Sequence, residues 1–91
     1  MVDSYFLIER KKVESAKQYD EIFRKVFELS SSEDVTNLEY QGIENWDSLG
    51  HMALVAELEK VFNISLDMDE VIDLSSYKQG KEILRKHNVK L

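Results

Sequence analysis

The chain of 91 residues has no cysteine and no proline, and it has only three glycines. Without cysteine it forms neither a disulfide nor a thiolate metal site, which fits a cytoplasmic protein. A β-sheet protein of this size needs more glycine and proline in its turns, so the composition favours helices. A chain of this length forms one domain that buries about 60–65 % of its unfolded surface, too little for a scaffold with a deep active-site cleft.

Long apolar runs are also missing. The apolar cluster Tyr5–Ile8 is too short for the apolar region of a signal peptide, and charged residues follow it directly. No segment approaches the roughly 20 apolar residues that a membrane-spanning helix needs. We therefore expect a cytoplasmic protein without a membrane partner.

Basic residues are scarce in the middle of the chain. Residues 1–32 sum to zero charge, residues 33–76 contain eleven acids and one base, Lys60, and residues 77–91 sum to +4. The acidic block would repel a phosphate backbone, so we expect no nucleic-acid partner. It would attract a basic protein surface and accelerate the encounter, or it serves only to keep the protein dissolved.

The clearest amphipathic pattern lies in the first third of the chain. Its apolar residues recur at helical spacing: Tyr19, Ile22, Phe23, Val26 and Phe27. They predict a helix that begins near Val13–Ser15 and ends near Leu29, before a run of three serines. Residues 1–12 either extend this helix or form a loose arm. We therefore divide the chain into an N-terminal extension, 1–12, and a domain, 13–91.

A second helix is predicted from about Ser48 to Phe62, after a long connection without periodicity. Asp47 is its expected N-cap and Asn63 its expected C-terminal stop. Trp46 is expected to anchor the connection on the core. The predicted inner face of the second helix consists of Leu49, Met52, Leu54, Val55, Leu58, Val61 and Phe62.

A short acidic segment, 67–73, and a last helix of about 77–87 follow. Val71, Ile72 and Leu74 are predicted to fill a gap between helices, and Ser75 or Ser76 to cap the last helix. Its inward residues are predicted to be Tyr77, Ile83 and Leu84. The predicted fold is all-α, a small four-helix bundle of three longer helices and one short one, with a long first loop.

Ser48 lies in the sequence Asp47-Ser48-Leu49, at the predicted start of the second helix. A helix N-terminus has unpaired N–H groups and a partial positive charge, and it favours an anionic substituent such as a phosphodiester. Three interpretations of Ser48 are open. It only caps the helix, it is a nucleophile beside His51, or it is an attachment site. The nucleophile interpretation suffers from poor geometry, because Asp47 cannot easily orient the imidazole.

The segment Glu44–Met52, with the apolar residues that follow it, resembles the attachment motif and the next helix of acyl carrier proteins. The likeness covers about residues 15–90. It implies that Ser48 carries 4′-phosphopantetheine through a phosphodiester, added from coenzyme A by a phosphopantetheinyl transferase that uses magnesium. Asp47 and Leu49 would position Ser48 for that enzyme. The thiol of the arm would hold an acyl or aminoacyl group as a thioester, and the chain itself would catalyse nothing.

The resemblance also implies a monomeric carrier and a series of partners: a loading ligase and downstream acyl-processing enzymes of fatty acid, polyketide or nonribosomal peptide biosynthesis. The candidate partner contacts are acidic: Glu57, Glu59, Asp69, Glu70 and Asp73. Three apolar residues either flank the cargo or fill the core: Met52, Val55 and Ile72. We predict no metal site. The sequence from Asp67 lacks the glycine and the closing glutamate of a calcium loop.

Two features differ from the carriers of fatty acid synthesis. Gly50 and Ala53 stand where those carriers have acidic residues early in the second helix, and the N-terminus is longer by about residues 1–12. The differences argue against a role in fatty acid synthesis. The segment Trp46–His51 more closely resembles stand-alone carriers of specialised pathways, which handle amino acids, short hydroxy acids or surface polysaccharide substituents. The alternative is a small acidic helical adaptor that binds a basic partner and carries no prosthetic group.

Overall fold

A computed structural model describes residues 4–91, with side chains from residue 7 onward. Its four helices are α1 (Ser4–Phe27), α2 (Ser48–Phe62), α3 (Met68–Asp73) and α4 (Tyr77–Lys86). The described residues contain no β-strand, and extended pairing is limited to one antiparallel bridge between Glu39 and Ser76. The predicted all-α class is confirmed.

Helix α1 begins at Ser4, and the predicted start near residues 13–15 was wrong. The apolar stripe is interrupted by Lys11 and Lys12, but no glycine or proline lies between residues 4 and 27 to end the helix. Ser15 is therefore an interior residue of α1. The described part of the extension, residues 4–12, is helical, while residues 1–3 lie outside the described residues. The division at residue 13 stays a prediction.

The later helices end where their capping residues predict. Asp47 accepts a hydrogen bond from the N–H of Gly50, and Asn63 adopts a left-handed conformation at the end of α2, with φ 53°. Ser76 accepts from the N–H of Gln79 at the start of α4. Helix α1 ends at Phe27, close to the predicted end near Leu29 and before the serine run, because Glu28 adopts a left-handed conformation.

The core is formed by α1, α2, α4 and the first loop. Its fully or almost fully buried residues are Tyr19, Ile22, Phe23, Phe27, Val35, Trp46, Leu54, Val55, Leu58, Leu74, Tyr77, Ile83 and Leu84. Trp46 stacks on Phe27 with ring centroids 5.0 Å apart and meets the edge of Phe23 at 5.6 Å. Trp46 therefore anchors the first loop on α1, as predicted.

Several apolar residues predicted to lie inside are on the surface. Leu49 is 83 % exposed and Met52 is 56 % exposed, and Val61 is also exposed. Five residues span about 1.4 turns, so Leu49 cannot share the inward face of Leu54. The prediction failed because α2 is apolar on more than the face that contacts α1. In the acidic segment Leu74 is buried, but Ile72 is 71 % exposed, so Ile72 does not fill the gap between helices.

Helix α4 approaches α1 closely at Gly80. A Cβ atom there would lie 2.1 Å from the Tyr19 hydroxyl oxygen, so no larger residue fits without movement. That hydroxyl donates a hydrogen bond of 2.6 Å to the carbonyl of Tyr77, and its burial raises the pKa of Tyr19. The close contact fixes the start of α4, and with it the α3–α4 connection that borders the candidate site. No helix among the described residues has the length and apolar character needed to cross a membrane.

Candidate functional site

Ser48 is the first residue of α2, and it is exposed. Asp47 immediately before it uses its carboxylate to accept the N–H of Gly50 at 2.8 Å, and its carbonyl accepts the N–H of His51 at 2.8 Å. Within the described residues, the backbone N–H groups of Ser48 and Leu49 have no acceptor. The hydroxyl therefore lies beside two free donors at the positive end of a helix.

The end of the first loop is locked against two helices. The side-chain amide of Asn45 donates to the carbonyl of Phe27, the last residue of α1, at 2.8 Å. The carbonyl of Asn45 in turn lies so close to α2 that a Cβ atom on Gly50 would come within 2.0 Å of it. Glycine at position 50 is thus required by packing. A larger residue at this position would displace the loop.

A chain of hydrogen bonds crosses beneath Ser48 from the core to α3. The indole N–H of Trp46 donates to Nδ1 of His51 at 3.0 Å, and Nε2 of His51 lies 2.8 Å from the carbonyl oxygen of Val71. Because the indole can only donate and the carbonyl can only accept, the ring of His51 is neutral with its proton on Nε2. The ring therefore joins the first loop, α2 and α3.

His51 is a structural residue, since its side chain is half-buried and bridges three elements. Both ring nitrogens are already hydrogen-bonded, so neither is directed at the hydroxyl of Ser48. The carboxylate of Asp47 is held by Gly50 and does not orient the ring. The described residues thus place Asp47, Ser48 and His51 together without the hydrogen bonds of a catalytic triad.

Tyr40 is a site residue that sequence reasoning missed. Its hydroxyl oxygen lies 3.3 Å from Oγ of Ser48, and its ring meets the ring of His51 edge-on at 5.3 Å between centroids. Its backbone N–H donates to the carbonyl of Ser75 at 2.9 Å, beside the β-bridge. Tyr40 lies in a loop without periodicity, so no pattern indicated which way its side chain points.

An open cavity of about 260 Å³ adjoins Tyr40. It is lined by Tyr40, His51, Val71, Ile72, Leu74 and Ser75. These residues come from the first loop, α2, α3 and the α3–α4 connection, and the hydroxyl of Tyr40 lies 3.3 Å from Oγ of Ser48. A group attached to Ser48 would therefore start beside a cavity with both apolar and hydrogen-bonding walls.

Large apolar side chains near the site remain uncovered. Leu49 and Met52 are exposed on α2, and Met68 and Ile72 are exposed on α3. By contrast Val55, the third residue predicted to flank the cargo or fill the core, is buried in the core. Exposed apolar residues grouped on neighbouring helices are typical of a surface that contacts another molecule.

Two of the five predicted partner contacts, Glu57 and Glu59, make contacts within the fold. Glu57 on α2 pairs with Lys25 of α1 at 3.2 Å and with Lys60 at 4.0 Å. Glu59 accepts the backbone N–H of Leu66 at 2.9 Å and so fixes the connection after α2. Both side chains are half-buried, which leaves less of each carboxylate available to a partner.

Glu70 stabilises α3 in two ways. It completes a capping box with Asp67, and its carboxylate accepts from Nε2 of His87 at 2.9 Å. The hydrogen bond from His87, followed by that from the backbone N–H of Asp67, lowers the pKa of Glu70. The two remaining predicted contacts, Asp69 and Asp73, are exposed on α3.

The described residues contain no group of three histidine, cysteine or acidic side chains that could hold a metal ion. Comparisons of the chain with protein-family models, with curated proteins and with solved structures gave no match.

Proposed function

We propose that the protein is an acyl carrier whose Ser48 bears 4′-phosphopantetheine and presents a thioester-bound acyl or aminoacyl group to partner enzymes. The observation that carries the proposal is the exposed hydroxyl of Ser48 at the start of α2, beside the free N–H groups of Ser48 and Leu49. A purely structural capping serine would accept a backbone N–H, but here Asp47 performs the capping.

The residues around Ser48 suit a phosphodiester. Two backbone donors and the helix dipole favour a negative charge at this position. The carboxylate of Asp47 opposes that charge, but the N–H of Gly50 holds it and partly offsets its charge. Attachment forms a bond between Oγ of Ser48 and the phosphorus that bears the pantetheine arm, as the pyrophosphate bond of coenzyme A breaks. Adenosine 3′,5′-bisphosphate is the leaving group, and the hydroxyl proton passes to a base of the transferase. A solvent-accessible serine on a fixed helix start permits a transferase to approach.

The proposed partner surface combines apolar and acidic residues. Leu49 and Met52 on α2 and Ile72 on α3 supply exposed apolar area, and Asp69 and Asp73 supply exposed charge. A partner with a basic rim around an apolar centre would fit such a surface. Because Gly50 excludes an early acidic residue on α2, we favour a partner set different from that of fatty acid synthesis, as in a stand-alone carrier of a specialised pathway.

The test is the intact mass of the protein after incubation with a broad-specificity phosphopantetheinyl transferase, magnesium and coenzyme A. The wild-type chain is expected to gain the mass of one phosphopantetheinyl group. Ser48→Ala is expected to gain none, while Ser31→Ala, which removes another exposed serine, should behave as the wild type. A wild-type chain that stays unmodified, or a Ser48→Ala variant that gains the group, would contradict the proposal.

One observation favours a second candidate, a helical adaptor without a prosthetic group. The exposed apolar residues and the exposed carboxylates of α3 would serve a protein partner equally well without any attached arm. The adaptor predicts that Ser48→Ala binds its partner with unchanged affinity. If the protein is a carrier, Ser48→Ala lacks the arm and is no longer a substrate for an enzyme that acts on the arm.

A further inference from the structure

Tyr40 is held from several sides although 37 % of it is exposed. Its backbone is fixed by the hydrogen bond to Ser75, and its ring is fixed against His51, which is itself held by Trp46 and Val71. The position of the Tyr40 hydroxyl is therefore set by the fold. In the described residues this hydroxyl has one hydrogen-bond partner, Oγ of Ser48.

The contact between the two hydroxyls is a long one. Their oxygen atoms are 3.3 Å apart, whereas hydroxyl pairs most commonly lie about 2.7–2.8 Å apart. The hydroxyl of Tyr40 is thus free to make a stronger bond to a better acceptor. An anionic oxygen is such an acceptor, because hydrogen bonds to charged groups are shorter and stronger.

We propose that Tyr40 is a positioning residue that donates its hydroxyl hydrogen bond to the phosphodiester on Ser48 and fixes the start of the arm at the rim of the neighbouring cavity. This inference rests on the proposed attachment at Ser48. Once Oγ of Ser48 is esterified it has no hydrogen, so within this pair only Tyr40 can donate. The phenol then points the phosphate towards the cavity lined by Tyr40, Val71 and Ile72.

The hydroxyl can be removed without disturbing what holds the ring. Tyr40→Phe keeps the backbone hydrogen bond to Ser75 and the edge contact with His51. Ser75→Ala is a matched control, because Ser75 lines the same cavity and the substitution keeps the carbonyl that Tyr40 uses. The two variants therefore separate loss of the proposed hydrogen bond from a general change in the cavity.

The experiment is phosphorus-31 nuclear magnetic resonance of the modified wild type, of Tyr40→Phe and of Ser75→Ala, with amide spectra to check that each is folded. Tyr40→Phe is expected to shift the phosphodiester resonance and to narrow the proton signals of the arm, because the arm becomes more mobile. Ser75→Ala should leave the phosphorus resonance where the wild type has it.

Coincident phosphorus resonances in the wild type and Tyr40→Phe would overturn the inference and leave the attachment at Ser48 intact. Equal shifts in both variants would also overturn it, since the hydroxyl of Tyr40 would then have no special effect. If no chain accepts the group, there is no phosphorus signal, and the proposed function fails together with this inference.

Discussion

At the scale of single residues, neighbouring residues at the start of α2 have different structural roles. Asp47 caps the helix, Gly50 lets the loop pack, and His51 bridges Trp46 and Val71. Among the described residues, the hydroxyl of Ser48 has no hydrogen bond to the backbone, and its one side-chain partner is Tyr40. The proposed attachment therefore uses a hydroxyl that the described fold does not need for capping.

Replacement of His51 by leucine is expected to destabilise the protein. His51→Leu leaves the indole N–H of the buried Trp46 and the carbonyl of Val71 without their partner. An unsatisfied buried polar group costs about 1–3 kcal/mol, so urea unfolding should show a loss of free energy in this range. The fluorescence of Trp46, the only tryptophan of the chain, reports the transition.

His51→Gln is the matched control, since glutamine offers both an acceptor and a donor. It should lose less stability than His51→Leu. If the leucine variant is as stable as the wild type, the bridge through His51 contributes nothing and its structural role is refuted.

At the scale of elements, much of the helical framework follows from local rules. Asp47, Asn63 and Ser76 mark helix ends by their capping chemistry, and these are visible in the sequence. The start of α1 is not visible in the sequence, because the apolar stripe breaks at Lys11 and Lys12 although nothing there prevents the helix from continuing. Periodicity reports the buried face and not the length of a helix.

The candidate site was only partly predictable for a related reason. Ser48 could be singled out as a candidate because the residues of its motif are contiguous in the sequence. Tyr40 and Val71 come from an irregular loop and from α3, and they meet His51 only through tertiary packing. Leu49 was assigned to the inner face because apolar character alone does not distinguish a core residue from an exposed contact residue.

The docking of the first loop on α2 predicts an unusual effect of alanine at position 50. In an exposed helix, alanine is favoured over glycine by about 1 kcal/mol. At Gly50 the new Cβ would meet the carbonyl of Asn45 at 2.0 Å, and such overpacking costs about 1–3 kcal/mol. Gly50→Ala is therefore expected to lower the free energy of unfolding measured with urea.

Ala53→Gly is the control for propensity, because Ala53 is exposed on the same helix. It should lose about 1 kcal/mol. Stabilisation by Gly50→Ala would mean that the loop yields readily and that Asn45 is not locked against α2.

The link between α3 and α4 predicts a dependence of stability on pH. The pKa of Glu70 is lowered from 4.5 in the folded chain by its hydrogen bonds from His87 and Asp67. In the interval just below pH 4.5 the unfolded chain binds more protons at this residue than the folded chain, so stability falls as the pH falls. The contribution of Glu70 is fully present above that interval.

Glu70→Gln removes this titration. The urea midpoint should drop between neutral pH and a pH just below 4.5 in both proteins, because other carboxylates titrate in both. The drop should be smaller for the variant than for the wild type. Identical slopes would show that the contact between Glu70 and His87 does not link α3 to α4 in solution.

At the scale of the whole molecule, the protein has exposed acidic residues on α3 and basic residues near the far end of α2. Lys11 and Lys90 line a cavity at this end of α2 together with Val61 and Phe62, and the carboxylates of Asp69 and Asp73 are exposed on α3. The fifteen residues of α2 separate the two ends by about 22 Å, given 1.5 Å per residue. The exposed carboxylates of α3 would attract a basic partner during its approach.

Association with the modifying transferase is therefore expected to slow as ionic strength rises, because salt screens attraction between exposed charges over about 8–10 Å. Stopped-flow rates at increasing salt measure the effect. Asp69→Asn combined with Asp73→Asn should flatten the dependence, whereas Lys86→Gln, an exposed residue near the end of α4, should not. A rate that is independent of salt would remove the steering role of the acidic residues without affecting Ser48.

The most direct test of the proposed attachment at Ser48 is to find which residue carries the phosphopantetheinyl group after treatment with transferase and coenzyme A. Fragmentation mass spectrometry of the digested protein locates the added mass on a single side chain. The account predicts that the whole added mass lies on Ser48. A group found on another residue, or a folded chain that remains unmodified under conditions that modify a known carrier, would contradict it.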